Sequence, residues 1–254
     1  MTEPQKPKKY YVRFSQPADE AKILEFYDLN GHKNVRKREA TLLRDRIEEG
    51  AVVFIEDEQG KIVASSITYP HKVKDSDGVE HVKWQEIGST RVVLNGYAGL
   101  FDAMVTMQVL RAFLVEPPED RFVARMHTAP VQNMAMKLGW RAHTPTQELM
   151  DSQKKSVDIN DQSTAAPDIN WYQAGVESLP VMASWMMKAL DNPVLENKKT
   201  GEKIELDFTR SSFFNMFEAE IRNLSGKNFG TPDTPDMTKG VQGQRDKWLK
   251  NFFR

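Results

Sequence analysis

The chain has 254 residues, of which 39% are hydrophobic and 28% charged, and its formal net charge is −1. These values are typical of a soluble globular protein and exclude a strong overall field toward nucleic acid or membrane. The absence of cysteine excludes disulfides, thiolate catalysis and cysteine-ligated zinc. The five histidines lack the spacing of a metal-binding helix, so we expect no metal site.

The ends and apolar runs of the chain bear on its compartment. The N-terminus is basic, but no apolar segment follows it, so the sequence predicts no signal peptide. No apolar run approaches the roughly 20 residues that a membrane helix needs. Together with the lack of cysteine, these features favour a cytoplasmic protein that does not bind a membrane.

Residues 9–150 alternate between strand-like and helix-like hydrophobic patterns. The first half predicts a strand at 9–15, a helix that begins near Gln16, a helix at about 35–49 and a hairpin at 51–70. The second half predicts a long strand at 82–94, a helix at 100–115, a strand at 121–127, a short helix at 131–138 and a last strand within 141–150. This order predicts an α/β (α+β) fold with a mixed central sheet that helices flank on both faces.

The rest of the chain differs in composition. Residues 151–168 are polar and predict a linker or exposed loop between a domain at 1–150 and the segment that follows. Residues 169–254 predict a mainly helical C-terminal extension, with helices at 179–190 and 211–224. Its basic and aromatic end, 245–254, is expected to dock on the body, although it could also stack on bases or contact a partner.

The stretch EIGSTRVVLNGYAGLF at residues 86–101 gives the main indication of function. A β-branched strand ends at Asn95-Gly96, and a loop with Gly99 leads into an amphipathic helix that begins near Leu100. The first N–H groups of that helix and its dipole point at one place, which favours a bound anion. An ordinary tight corner is the alternative, because Asn-Gly is a common turn pair.

Residues 9–150 resemble the GNAT superfamily of acyl-CoA-dependent N-acyltransferases. The resemblance lies in the element order, the strand and loop at 86–99, the RFVARMH strand at 121–127 and LGW at 138–140. It implies a GNAT-like fold and transfer of an acyl group from acetyl-CoA or another acyl-CoA to an amine. It also implies that the loop backbone holds the pyrophosphate and that the pantetheine lies between the strands at 82–94 and 121–127.

The resemblance assigns the cofactor contacts to one run of residues and one asparagine. They are Val92, Val93, Leu94, Asn95, Gly96, Tyr97, Ala98, Gly99, Leu100, Phe101 and Asn133. The loop departs from the superfamily signature of Arg or Gln, two residues, Gly, one residue, then Gly or Ala. The corresponding positions are Ala98, Phe101 and Ala103, of which only Ala103 agrees. A solvated polar position is the alternative interpretation of Asn133.

The resemblance also implies the catalytic residues. Glu86 stands where the superfamily frequently keeps a general base that acts through water. The alternative interpretation is that Glu86 is only a solvent-facing residue of the strand. The tyrosine that often protonates the leaving thiolate is replaced by Ala135, so Tyr97, Ser89, Thr90 or water is expected to serve instead. Without a cysteine to carry the acyl group, we expect direct attack by the amine in a ternary complex.

The acceptor and the oligomeric state are not specified by the sequence. Residues 32–46 contain six Lys or Arg and two acidic residues, and could receive an anionic acceptor, including a nucleic acid. A solvated helix face is the simpler interpretation of that run. Two alternatives to the N-acyltransferase interpretation stay open. The protein could be a GNAT-fold enzyme that modifies a nucleic-acid base or an aminoacylated end, or a non-catalytic GNAT-derived binding or scaffold domain. An open gap between the two strands would favour an enzyme, and a filled gap a binding domain.

Overall fold

The computed structural model describes residues 6–31, 37–97, 99–157 and 170–226. Their strands are β1 (Lys8–Phe14), β2 (Val52–Asp57), β3 (Ile62–Lys74), β4 (Glu80–Val92), β5 (Arg121–Met126), β6 (Arg141–His143), β7 (Asn170–Ala174), β8 (Val194–Glu196) and β9 (Lys203–Asp207). Their helices are α1 (Glu20–Leu29), α2 (Ala40–Glu48), α3 (Leu100–Val115), α4 (Ala129–Lys137), α5 (Gln147–Lys155), α6 (Leu179–Asp191) and α7 (Ser212–Ser225). The strands form one mixed sheet in the order β6-β7-β5-β4-β3-β2-β1-β9-β8.

Both faces of this sheet are covered by helices, as the alternation along β2 shows. Val53 and Ile55 join the core that includes α3, whereas Val52 and Phe54 join a second core with residues of α1 and α2. All four side chains are fully buried. Successive residues of a strand point to opposite faces, so an unbroken apolar run requires cover on both sides. The predicted mixed sheet with flanking helices is confirmed.

The region around residue 150 corrects the sequence prediction. The expected strand within 141–150 is limited to β6, and α5 follows it, with the Thr146 hydroxyl accepting the N–H of Leu149 at 3.2 Å as a helix cap. Helix α5 also occupies the start of the supposed linker at 151–168, where Gln153 is buried. Residues 158–168 of that linker, the tail at 245–254 and Ala98 lie outside the described residues.

The segment after residue 169 contains the two predicted helices, α6 and α7, and three strands that were not predicted. Strand β7 lies between β5 and β6, while β9 pairs in parallel with β1 and carries β8 at its outer side. These strands have five residues or fewer, too short to show a clear alternation. The sheet therefore continues across the predicted boundary near residue 150, and the division into two domains stays a prediction.

Strands β4 and β5 pair over only three residues each, at the start of β5 and the middle of β4. Their parallel register runs from Trp84–Arg121 to Glu86–Val123, whereas β4 continues beside β3 as far as Val92. Beyond Glu86, the described part of β4 has no neighbour on its β5 side. This divergence opens a gap in the middle of the sheet.

Candidate functional site

A cavity of about 710 Å³ occupies the gap between β4 and β5. Residues 86–93 form one wall, and residues 124–128 form the facing wall. Leu29, the last residue of α1, lies at its edge with Asn30 and Gly31, as do Asn95 and, in the first turn of α3, Phe101. The cavity therefore joins the α1 side of the sheet to the loop before α3.

Glu86 lies in the wall of this cavity and is 2% exposed. Its carboxylate accepts hydrogen bonds from Arg38 Nη2 at 2.6 Å, from Gln153 Nε2 at 3.1 Å and pairs with His71 Nε2 at 2.9 Å. Burial by itself raises the pKa of Glu86, but Arg38 and then His71 outweigh it and hold the pKa well below the ordinary range. Glu86 is thus ionised, and a carboxylate with so low a pKa is a weak proton acceptor.

His71 links Glu86 to helix α5 behind the cavity. Its Nδ1 lies 3.0 Å from Ser152 Oγ, and the imidazole is 1% exposed. Because an ionised carboxylate only accepts hydrogen bonds, His71 Nε2 carries the proton toward Glu86. The side chain of Glu86 is therefore held from three sides by strand β3, helix α5 and Arg38.

Ser89 also lines the cavity, and it has a strained backbone. Its φ is 50°, a value found at no other non-glycine residue of the described chain. Its hydroxyl lies 2.8 Å from Tyr69 Oη. Burial raises the pKa of Tyr69 to about 12, so this phenol stays protonated and can donate to Ser89. The proton of the Ser89 hydroxyl is then left for a group in the cavity.

Tyr97, which was also predicted as an acid, does not line the cavity. It is 8% exposed and forms an isolated antiparallel bridge with Asn197, close to Glu202 and Lys8. Burial and the hydrogen bond to Glu202 raise its pKa. The structure therefore places Tyr97 on the far side of the loop, where it holds the C-terminal segment rather than a cavity ligand.

The predicted cofactor residues divide into two groups. Val92, Val93, Asn95 and Phe101 line the cavity, whereas the described loop residues Leu94, Gly96, Gly99 and Leu100 do not, and Asn133 is exposed on α4. The N–H of Val93 donates to Val63 O at 2.9 Å, so it is not available to a ligand. In an antiparallel ladder the neighbouring residue, Val92, then turns its N–H and C=O away from β3 and toward the gap.

The loop before α3 is covered by the C-terminal segment. Gly96 has a φ of 94°, and a Cβ at this position would lie 2.5 Å from Asn197 Nδ2. Gly99 has a φ of 105°, and a Cβ there would lie 3.1 Å from Leu195 Cδ2. Both glycines are required by conformation and by close approach, and Asn197 and Leu195 fix the loop from its outer side.

Several residues of the site were not predicted from the sequence. Arg38 was placed in a run interpreted as a solvated helix face, but it is 9% exposed and bonded to Glu86. Arg46, from the same run, is 2% exposed and donates to Thr68 O at 2.7 Å. The simpler interpretation of that run is wrong for these two arginines. Gln153 was hidden within the supposed linker, and the available signal was its position four residues after Leu149, a spacing that puts both side chains on one face of a helix.

Other classes of site are not supported within the described residues. No group of three or more His, Cys, Asp or Glu side chains there could hold a metal ion. No helix of the described ranges is both long and apolar enough to cross a membrane.

No protein-family model and no curated protein sequence matches the chain. Among solved structures it is similar to a Mycobacterium tuberculosis protein in complex with CoA and NLQ, at 17% identity over 64% of this chain and 96% of that one, with a TM-score of 0.45. A GNAT superfamily phosphinothricin acetyltransferase from Sinorhizobium meliloti in complex with AcCoA has 14% identity over 64% of this chain and 86% of its own, with a TM-score of 0.45. A ribosomal-protein-alanine N-acetyltransferase from Brucella melitensis has 15% identity over 64% and 98%, with a TM-score of 0.44.

Proposed function

We propose, from the GNAT-like fold that the chain adopts, that it is an acyl-CoA-dependent N-acyltransferase acting on an amine, with acetyl-CoA as the default donor. The observation that carries the proposal is the open gap between β4 and β5. It contains a cavity of about 710 Å³ that reaches both Glu86 and the start of α3. A binding or scaffold domain derived from this fold would have no need to keep the gap open.

The residues of the gap fit an acyl-pantetheine arm. Val92 offers its backbone N–H and C=O, and Val105, Met126 and Val131 provide apolar walls. At the loop, the N–H groups of the first turn of α3 have no acceptor within the helix and would hold a phosphate. When bound, acyl-CoA would supply the thioester that the amine attacks.

Two features make the loop before α3 a weaker binding site for the pyrophosphate than a glycine-rich loop would be. Phe101 stands at the position where the superfamily signature has glycine, and its side chain contributes to the cavity wall. Asp102 adds a carboxylate to the first turn of α3, and burial raises its pKa. We therefore expect the pantetheine gap to contribute a larger share of donor binding than in a glycine-rich loop.

Three side chains receive roles in the transfer. The ionised Glu86 favours the approach of a protonated amine, so we propose it as an electrostatic and positioning residue, whereas its low pKa opposes a role as general base. The amine loses its proton to water, and its nitrogen then forms the bond to the acyl carbon as the C–S bond breaks. Ser89, supported by Tyr69 at 2.8 Å, donates the proton to the leaving sulfur, and the nitrogen passes its remaining extra proton to Ser89 as the amide forms.

Calorimetric titration with acetyl-CoA and CoA tests this proposal. Asn95→Asp places a carboxylate in the cavity wall beside the loop without changing the side-chain shape, which avoids the strain that any side chain at Gly99 would cause. We expect the wild type to bind at micromolar Kd and Asn95→Asp to bind at least about tenfold more weakly, a loss of ~1.4 kcal/mol. Asn215→Asp, the same change on the exposed side of α7, is the matched control and should bind as the wild type does.

A folded wild type that binds neither acetyl-CoA nor CoA would refute the proposal, and equal affinity in Asn95→Asp would place any bound donor away from this loop. If binding is found, release of free CoA from acetyl-CoA in the presence of a panel of amines then reports transfer.

A further inference from the structure

Three side chains from different elements form a hydrogen-bonded row behind the cavity wall. Ser152 Oγ of α5 lies 3.0 Å from His71 Nδ1 of β3, and His71 Nε2 lies 2.9 Å from Glu86 Oε2 of β4. A hydroxyl, an imidazole and a carboxylate in this order are the components of an activated serine nucleophile. Ser152 is not among the described residues that line the cavity, so the row leads away from the gap between β4 and β5.

The two hydrogen bonds of this row have the direction that a serine nucleophile needs. Glu86 is ionised, so its carboxylate accepts the proton on His71 Nε2. In the neutral imidazole the other nitrogen, Nδ1, is then an acceptor, and the hydroxyl of Ser152 donates to it. His71 Nδ1 is therefore placed to take the hydroxyl proton as the oxygen attacks, and Glu86 stabilises the imidazolium that results.

The imidazole and the carboxylate are fixed in place and shielded from water. His71 is 1% exposed and Glu86 is 2% exposed. The second carboxylate oxygen, Oε1, accepts hydrogen bonds from Arg38 at 2.6 Å and from Gln153 at 3.1 Å, which leaves Oε2 for His71. A buried carboxylate held in this way keeps the imidazole in one tautomer and one orientation.

The hydroxyl of Ser152 does not have the partner that is usual for a serine in a helix. Such hydroxyls commonly bond to a backbone carbonyl in the preceding turn. Ser156 and Ser225 do so in this chain, each donating to the carbonyl three residues earlier at 2.7 Å. Ser152 instead donates to His71, and it is partly exposed, so a small molecule can reach it from solvent.

We infer that Ser152 is a nucleophile toward small esters with a good leaving group, with His71 as its general base and Glu86 as the group that orients His71. Ser152 Oγ forms a bond to the acyl carbon, the hydroxyl proton passes to His71 Nδ1, and the bond to the leaving oxygen breaks with its electron pair. The product is an acyl ester on Ser152, and His71 returns its proton to water. This reaction needs no acyl-CoA and does not rest on the proposed function.

Labelling with a biotinylated fluorophosphonate, mapped by peptide mass spectrometry, tests the inference. Attack by Ser152 forms an O–P bond and releases fluoride, and p-nitrophenyl acetate should acetylate the same residue with release of p-nitrophenolate. We expect Ser152→Ala to lower the labelling rate of the chain at least about tenfold. Ser184→Ala is the matched control and should be labelled as the wild type is, because Ser184 is a partly exposed helical serine whose hydroxyl donates to Ser225 O at 3.2 Å.

Two further comparisons connect the reactivity to His71. His71→Gln keeps an N–H for Glu86 but removes the base, so labelling of Ser152 should fall about tenfold or more. The chain has no cysteine, so Ser152→Cys and Ser184→Cys each contain a single thiol. Iodoacetamide should alkylate Ser152→Cys at least about tenfold faster than Ser184→Cys, because a neighbouring imidazole favours the thiolate. This comparison keeps His71 and stays decisive if His71→Gln does not fold.

Several results would overturn the inference. They are no label on Ser152, equal labelling of Ser152 and Ser184, full labelling of Ser152 in a folded His71→Gln variant, and equal alkylation of the two cysteines. Acetylation confined to the neighbouring lysines, Lys154 and Lys155, would also overturn it. The two proposals fail separately, since labelling of Ser152 in a protein that does not bind acetyl-CoA refutes the proposed function alone.

Discussion

Replacing Glu86 by glutamine should lower the stability of the protein substantially. The carboxylate is 2% exposed and has three hydrogen-bonding partners, Arg38, His71 and Gln153. The amide keeps the shape and one acceptor oxygen but removes the negative charge. Arg38, whose side chain is 6% exposed, would then carry a buried charge with no opposite charge beside it among the described residues.

The magnitude follows from the burial of the pair. Two unit charges 2.6 Å apart attract by about 6 kcal/mol at an effective dielectric constant of about 20. The polar amide recovers part of that, and removal of one partner of a buried ion pair typically costs about 3 to 5 kcal/mol. For a chain of this size, each kcal/mol corresponds to roughly 2 to 4 °C, so Tm should fall by about 10 °C.

Urea unfolding at neutral pH, followed by circular dichroism, measures the loss. Glu148→Gln is the matched control, since its carboxylate lies 2.6 Å from Lys83 Nζ with both side chains at least a third exposed, and it should cost under about 1 kcal/mol. The double variant Glu86→Gln with Arg38→Met should recover part of the loss, because it removes both charges.

The pH dependence provides a second test. A carboxylate whose pKa is lowered on folding contributes stability above its ordinary value of 4.5, and this contribution is lost as the pH falls below that value. Between about pH 5 and pH 3, the wild type should therefore lose more stability than Glu86→Gln. A neutral-pH loss no larger than that of the Glu148 control, or identical acid profiles, would refute the buried ion pair and the role assigned to Glu86.

Two further changes test the loop and the first helix. Gly96→Ala should lower stability by about 2 kcal/mol and weaken donor binding, because a Cβ would collide with Asn197 and the φ of 94° would be strained. Gly60 has a φ of 80° and open space around it, so Gly60→Ala is the control that shows the effect of backbone strain alone. An equal loss of stability in the two variants would contradict the contact between residue 96 and Asn197. Burial raises the pKa of Asp19, but the hydrogen bonds from Arg13 outweigh it and bring the pKa to about 2. The resulting stability of about 2 kcal/mol is present above about pH 4 and lost toward pH 2, so Asp19→Asn should make the acid unfolding curve, measured by fluorescence, less steep. An unchanged acid unfolding curve would show that the Asp19–Arg13 pair contributes nothing to stability.

Local sequence determined the elements that build the gap. Helix α3 occupies residues 100–115 as predicted, because Gly99 precedes it with a positive φ and Glu116-Pro117-Pro118 ends it. The strand before it and the strand after it were also placed within a few residues. Turn residues and hydrophobic period act over a few neighbours, so they can be detected in the sequence itself.

The surroundings of those elements were decided by tertiary structure. Helix α3 was expected to be amphipathic, but nearly all of its residues are buried, since α6 packs on the side that faces away from the sheet. The strands of residues 170–226 exist because β5 and β1 offer edges to pair with, and no local pattern in five residues specifies such a partner.

The candidate site shows the same division. The sequence placed Glu86, Ser89, Val92, Asn95 and Phe101 on one strand, its loop and the start of the next helix, and the fold turns them toward one cavity. It could not identify the partners of Glu86, because Arg38 and Gln153 lie 48 and 67 residues away along the chain. A buried polar side chain needs partners that satisfy its charge and hydrogen bonds, and for Glu86 those partners are brought close only by the folded chain as a whole.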